Sequence, residues 1–292
     1  AFAFTPMASG YSFTLPDERG QLLSHYRPTA QYMGGVWMSS AMAISGAAAS
    51  PNMGYHSSPA LTFLMTVFNV RLGHWSPNPA DENHWTQHDP PFGGIYLLKE
   101  LFGHTQHTSP FVYLSDGGHF ENLGIYELVR RRCTCIVAID AGEDGNSQFE
   151  DLGNTIRKCY ADFGVVIDVH AEDLQNGYSA IGRVVYPPRE GASEPPPEGH
   201  LIYIKPRLTG TEPADLLNYK CTHPGFPHES TADQWFDESQ FESYRKLGHH
   251  IGKAVFNAAL IEAAQRQEMA GDSGPILPWL CEILRERRDE AA

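Results

Sequence analysis

"FVYLSDGGHFENLGIYELVRRRCTCIVAIDAG", running from Phe111 to Gly142, decides how this chain is read. Phe111 to Ser115 is short, aromatic and β-branched, as a buried strand should be. Asp116-Gly117-Gly118 then removes two side chains where the backbone must turn sharply or come close to something else. Leu123, Tyr126, Leu128 and Val129 recur at roughly helical spacing up to Arg130-Arg131-Arg132, whose charges suit a helix C-terminus. Cys135 to Asp140 reads as a second buried strand. The stretch predicts a strand, turn, helix, strand unit that places Asp116 at the end of its first strand.

Downstream, Leu152 to Tyr160 predicts a helix, and Val165 to Val169 and Leu201 to Lys205 predict strands. Pro187 to His200, rich in Pro and Glu, predicts an exposed loop. From Glu238 the pattern is helical for about seven turns, and the tail from Ile276 ends in a charged helix. Upstream, residues 1 to 30 lack periodicity and predict loop with one short strand. Ala41 to Ala49 is a small-residue helix candidate halted by Pro51, and Pro59 to Leu72 fits a buried helix or a strand pair. His74 to Pro91, with four prolines, two tryptophans and three histidines, predicts a surface loop or lid. Strands alternating with helices favour an α/β layered sheet, in which ligands sit where strands end and helices begin.

With 292 residues, 41% hydrophobic and 19% charged, the chain can bury a full core as one large domain or two small ones. Lys and Arg total 21 against 35 Asp and Glu; the net charge of −14 argues against general affinity for nucleic acid or anionic lipid surfaces. Cys133, Cys135, Cys159, Cys221 and Cys281 are odd in number, and no pair has CxxC spacing. Reduced thiols in a cytoplasmic setting are therefore expected. The longest apolar run, Ala60 to Val70, is about half of the roughly 20 residues that a membrane span needs. The first residue is Ala, and "AFAFTPMASGY" has neither the basic start nor the apolar core of a secretion signal, so the chain is expected to be part of a longer protein.

Asp116, Gly117 and Gly118, followed by Asn122 six positions after the aspartate, resemble the Asp-Gly-Gly motif and its following Asn in patatin-like lipid acyl hydrolases and the related cytosolic phospholipase catalytic domain. "AMAISGAAASPNMG", Ala41 to Gly54, is similar to that family's block of small residues ending in Ala-Pro or Ser-Pro. "FEDLGNTIRKCYADFGVVIDV" and "STADQWFDESQFESYRKLG" also look like segments of this branch, so the resemblance covers most of the chain. It implies a three-layer α/β/α sandwich, with residues 1–292 forming the C-terminal part of a single catalytic domain, incomplete at its N-terminal side. It further implies a serine and aspartate dyad that cleaves lipid acyl esters without a cofactor, in which Asp116 accepts the serine proton. The implied partner is a lipid or phospholipid substrate; any membrane attachment would come from segments missing here.

The resemblance has gaps. Leu123-Gly124 stands where the family commonly has Pro near the Asn, a departure expected to alter rigidity more than chemistry. More important, no Gly-x-Ser-x-Gly occurs: Ser45 lacks the preceding glycine, and Ser12, Ser147 and Ser179 lack the following one. The nucleophile is expected upstream of Ala1, which leaves half a dyad in this chain. Ser45 is a tempting stand-in, but a small-residue helix more often uses serine for close packing; Ser115 should point to the other face of the strand from Asp116.

Other clusters have simpler readings. "DAGEDGNSQFED", Asp140 to Asp151, partly matches a calcium loop, but position three is Gly142, and a solvated acidic loop and helix N-terminus fits better. His104, His107, His249 and His250 make no convincing zinc set, so no metal is expected. Arg130 to Arg132 reads as a helix-terminal charge cluster before a phosphate site. The rivals are a non-catalytic patatin-like binding or regulatory module, a metal-dependent hydrolase and a general esterase.

Overall fold

A computed structural model describes residues 2–16, 22–47, 73–101, 106–174, 177–188, 196, 198–230 and 235–291. The chain divides into two units, Ala1–Asn122 and Leu123–Ala292.

The first unit opens with an antiparallel sheet of β1 (Phe2–Phe4), β2 (Ala8–Pro16) and β3 (Leu22–Pro28), where the sequence predicts mostly loop. Its strands mix Ser, Gly and Pro with aromatics, which hides the alternation. One glycine is dictated by the pairing: Gly10 lies opposite Tyr26 in the register, and a Cβ there would sit 1.9 Å from the His25 carbonyl oxygen. Helix α1 (Met38–Ser45) ends at Gly46, earlier than the predicted stop at Pro51. The Pro59 to Leu72 prediction lies outside the described residues.

The predicted loop or lid over His74 to Pro91 is corrected in its first four residues, while residues 78–91 are turns and bends. His74–Pro77 is strand β4; after helix α2 (Gly93–Leu101) comes β5 (Phe111–Leu114), and the two strands pair antiparallel, His74 opposite Leu114 and Pro77 opposite Phe111. Trp75, Ser76 and Asn78 are buried. Pro77 is tolerated because it closes the strand. The Asn78 side chain donates to the carbonyls of His107 and Ser109 and accepts from Tyr11 Oη and the Ala80 N–H, so a stretch of loop-like composition is held internally.

The second unit runs α3 (Ile125–Arg130), β6 (Cys135–Ile139), α4 (Glu150–Phe163), β7 (Val166–Asp168), β8 (Ser179–Val185), β9 (Gly199–Ile204), α5 (Ala214–Thr222), α6 (Glu238–Ala270) and α7 (Leu277–Ala291). Its sheet has the order β6-β9-β8-β7, with β6 and β9 parallel and the other pairs antiparallel. The predicted strand, turn, helix, strand unit therefore exists in sequence but not as two strands of one sheet: β5 pairs with β4, and β6 with β9. Gly199 and His200, predicted as the end of the Pro/Glu-rich loop, already belong to β9.

The pleat sends alternate side chains to opposite faces, and helices cover both. Ile136, Ala138, Leu201 and Tyr203 pack on one face with Ile125 and Val129 of α3 and Leu152 of α4. Ile181, Ile202 and Ile204 pack on the other with Leu216 of α5, Leu247 and Ile251 of α6, and Leu280 and Ile283 of α7. This is an α/β arrangement. Fully burying a Leu or Ile side chain contributes about 1.5–3 kcal/mol, and Leu201 and Ile202 are both at 0% exposure.

Helix α6 is longer than predicted, 33 residues. It begins where Asp237 accepts the Gln240 N–H at 2.7 Å and ends at Gly271, whose φ of 64° suits glycine. Among the described residues, no helix is long and apolar enough to cross a membrane. The expectation of reduced thiols throughout is corrected: Cys135 and Cys281 form a disulfide between the start of β6 and α7, while Cys133, Cys159 and Cys221 do not. A separation of 146 residues in sequence hides such a pairing.

Candidate active site

β5 ends at Leu114, and two residues later the chain enters a short 3-10 turn, Gly117–His119, with Asp116 as its N-cap. The Asp116 Oδ1 accepts the Gly118 N–H at 2.8 Å, which fixes the carboxylate against the turn that follows it. Phe120 and Glu121 both donate their N–H groups to the Gly117 carbonyl at 2.9 Å, closing that turn. Asp116 is half-buried. Among the described residues, its Oδ2 has no hydrogen-bond partner.

The two glycines differ in what they require. A Cβ at Gly118 would lie 2.8 Å from Asn122 Oδ1 and 3.2 Å from Asp116 Oδ1. Gly118 is thus the floor beneath both the Asp116 and Asn122 side chains, so the two residues spaced six apart in the sequence come to the same glycine. At Gly117 nothing described lies within 4 Å of an added Cβ. Neither packing nor backbone strain within the described residues demands glycine there.

Asp116 also meets the small-residue block. Its N–H donates to the carbonyl of Ala47, which is fully buried one residue past the Gly46 that ends α1. The two sequence blocks that carry the family resemblance are therefore in direct contact. Ser45 is exposed, and among the described residues it makes no hydrogen bond to Asp116. Ser115 is held by His119, with Oγ and Nδ1 3.1 Å apart. His119 is the residue of this site that the sequence reading missed; its position four after Ser115 was the available signal.

Where the family has proline near the Asn, Gly124 adopts φ 73°, ψ 0° as the residue before α3. Proline, locked near −65°, could not take that conformation, so the departure from the motif has a backbone reason.

The other candidate clusters are engaged in structural roles. Asp140 follows β6 and Lys205 follows β9, so the parallel register sets them side by side, Nζ to Oδ2 at 2.9 Å, both almost wholly buried. Asp140 also accepts from Tyr203 Oη and, through Oδ1, from the Gly142 N–H. Asp144 accepts from the N–H groups of Gln148 and Phe149 just before α4. The acidic loop is thus anchored at its start by the buried Asp140, while Ala141, Glu143, Gly145, Asn146 and Gln148 are exposed, as expected of a solvated loop leading into a helix N-terminus. Burial and the Asp140 carboxylate beside it push the Tyr203 phenol far above its ordinary range.

Arg130 and Arg131 bind Glu127, and Arg132 donates to the Pro187 carbonyl and lies over the Tyr186 ring. Burial alone would raise the Glu127 carboxyl, but the two guanidinium groups outweigh it and bring it down to about 2. His250 Nε2 lies 3.2 Å from Tyr178 Oη, which in turn donates to Glu212. Among the described residues, no group of three His, Cys, Asp or Glu side chains is placed to hold a metal ion.

The chain matches no protein-family model, no curated protein and no solved structure.

Proposed function

We propose that this chain is the C-terminal part of a patatin-like lipid acyl hydrolase domain, an α/β/α sandwich in its intact form, that cleaves acyl esters of phospholipids or lysophospholipids. Asp116 is the base of a serine and aspartate dyad, and the serine is supplied by a Gly-x-Ser-x-Gly turn that these 292 residues do not contain. The observation that supports this reading most is the hydrogen bond from Asp116 N to Ala47 O, because it joins the two blocks on which the resemblance rests.

The geometry of the turn supports this chemistry. Oδ1 is occupied by the Gly118 N–H, which leaves Oδ2 to take the proton from the attacking hydroxyl. The open space beside Gly117 lets the nucleophile turn or the ester carbonyl come close to that oxygen. Asn122, converging on Gly118, limits how far the turn can shift when the charge on Asp116 changes.

The test uses the full-length protein, measuring fatty acid release from a phospholipid and a lysophospholipid. Asp116→Asn keeps an acceptor for the Gly118 N–H but cannot take a proton, so kcat should fall about 10²–10⁴-fold with an unchanged melting temperature. Undiminished turnover in that variant overturns the assignment. No fatty acid release from the wild-type protein would favour a patatin-like binding or regulatory module.

A further inference from the structure

A cavity of about 370 Å³ in the second unit is lined by Thr134, Cys135, Glu198, His200, Pro278, Cys281, Glu282 and Arg285. Its wall includes the Cys135–Cys281 disulfide, in which Cys135 is the half-buried residue and Cys281 the fully buried one. Cys281 and Arg285 are four residues apart on α7 and so share one face of the helix. The Arg285 Nε is buried without a hydrogen-bond partner among the described residues. Glu198 is taken up by a two-point pair with Arg183, but Glu282, three residues before Arg285, offers a carboxylate to the same cavity.

We propose that this cavity admits a zwitterionic low-molecular-weight thiol, which reduces the Cys135–Cys281 disulfide and unfastens α7 from the start of β6. Arg285 receives the ligand's carboxylate and Glu282 its ammonium group. The bound thiolate attacks Sγ of Cys135, the less buried residue of the pair; a mixed disulfide forms there and Cys281 leaves as a thiolate. The guanidinium of Arg285 stabilises that leaving group, and a leaving thiol of lower pKa leaves faster. A second thiol molecule attacks the ligand's sulfur, releasing Cys135 and the oxidised thiol dimer. Two electrons have then passed from two thiols to the disulfide, and each protein sulfur ends as a thiol or thiolate. Helix α7 keeps the packing of Leu280, Ile283 and Leu284, so it loosens at its first turns rather than leaving the core.

The experiment is alkylation and mass analysis of the protein purified without reductant, followed by reduction with glutathione or with uncharged 2-mercaptoethanol at equal thiolate concentration. Three of the five cysteines should alkylate before reduction and five after it. Glutathione should act at least about tenfold faster, Arg285→Gln should remove that advantage, and amide exchange over 277–291 should quicken on reduction. Five alkylated cysteines in the unreduced protein, or equal rates for the two thiols, overturn the proposal.

Discussion

Replacing Lys205 with Met should destabilise the second unit strongly, and the buried ion pair sets the size of the effect. Met keeps most of the aliphatic stem and removes the ammonium group, so the packing loss is small. What remains is Asp140, whose side chain is only 3% exposed, with Tyr203 Oη and the Gly142 N–H but no cation. Stranding one member of a buried ion pair costs about 3–5 kcal/mol. In a protein of this size about 2–4 °C of melting temperature accompanies each kcal/mol, so the transition should fall by about 6–20 °C. The double variant Asp140→Asn with Lys205→Met keeps an acceptor for Gly142 and strands no charge at Asp140; Asp144, 3.7 Å from Lys205 Nζ, loses its cation but keeps the N–H groups of Gln148 and Phe149, so the double variant should regain at least half of the loss. Urea unfolding of the wild type, the two single variants and the double variant, followed by circular dichroism, yields the coupling energy. A value above about 2 kcal/mol is expected. Single costs that simply add, with coupling below about 0.5 kcal/mol, would refute the claim that the buried charges sustain each other.

The active-site turn and the acid limb of stability give two further predictions. Gly118→Ala presses a methyl group against two mobile carboxamide and carboxylate ends, 2.8 and 3.2 Å away; these can swing aside, so stability should change by less than about 1 kcal/mol, while ester hydrolysis by the full-length protein should drop at least tenfold because Asp116 is turned from its seat. Equal activity would detach Asp116 from the reaction. Glu212 is buried, which by itself raises its carboxyl; the N–H groups of Thr209 and Gly210 and the hydroxyl of Tyr178 reverse that and lower it from 4.5 to about 2. A depressed carboxyl contributes stability that is present above the unfolded value and lost as pH falls toward the folded one. The melting temperature should therefore decline between about pH 4.5 and pH 2, and Glu212→Gln should flatten that decline, leaving the part due to Glu127; an identical pH profile in the variant would contradict the assignment.

Legibility in the sequence followed the strength of local pattern. β6, α4, α6 and the Asp-Gly-Gly turn were read correctly because apolar period, cap and glycine pair agree within a dozen residues. β1 to β3 were missed because Ser9, Gly10 and Ser12 interrupt the alternation that a strand usually displays, and their stability comes from one another. β4 was missed because Pro77 and Pro79 mark it as a loop, whereas Asn78 supplies the hydrogen bonds that such a segment lacks. Asp140 was visible only as an acidic loop and Lys205 only as the last residue of a strand. Their partnership depends on which strand lies beside β6, and no local signal encodes a parallel register. The same holds for Cys135 and Cys281. At the candidate site, Asp116, Gly118 and Asn122 were legible from spacing, while Ala47 required the fold.

β6 reads Cys-Ile-Val-Ala-Ile, apolar on both faces, yet it is a terminal strand of its sheet among the described residues, and Val137 and Ile139 are exposed. Natural edges are usually blunted by charge, proline or a bulge, because a bare one offers unpaired N–H and C=O groups to any extended chain nearby. During synthesis this strand emerges more than sixty residues ahead of its β9 partner, and both of its edges are then open. Until β9 arrives, those open edges are the place where another extended chain could pair.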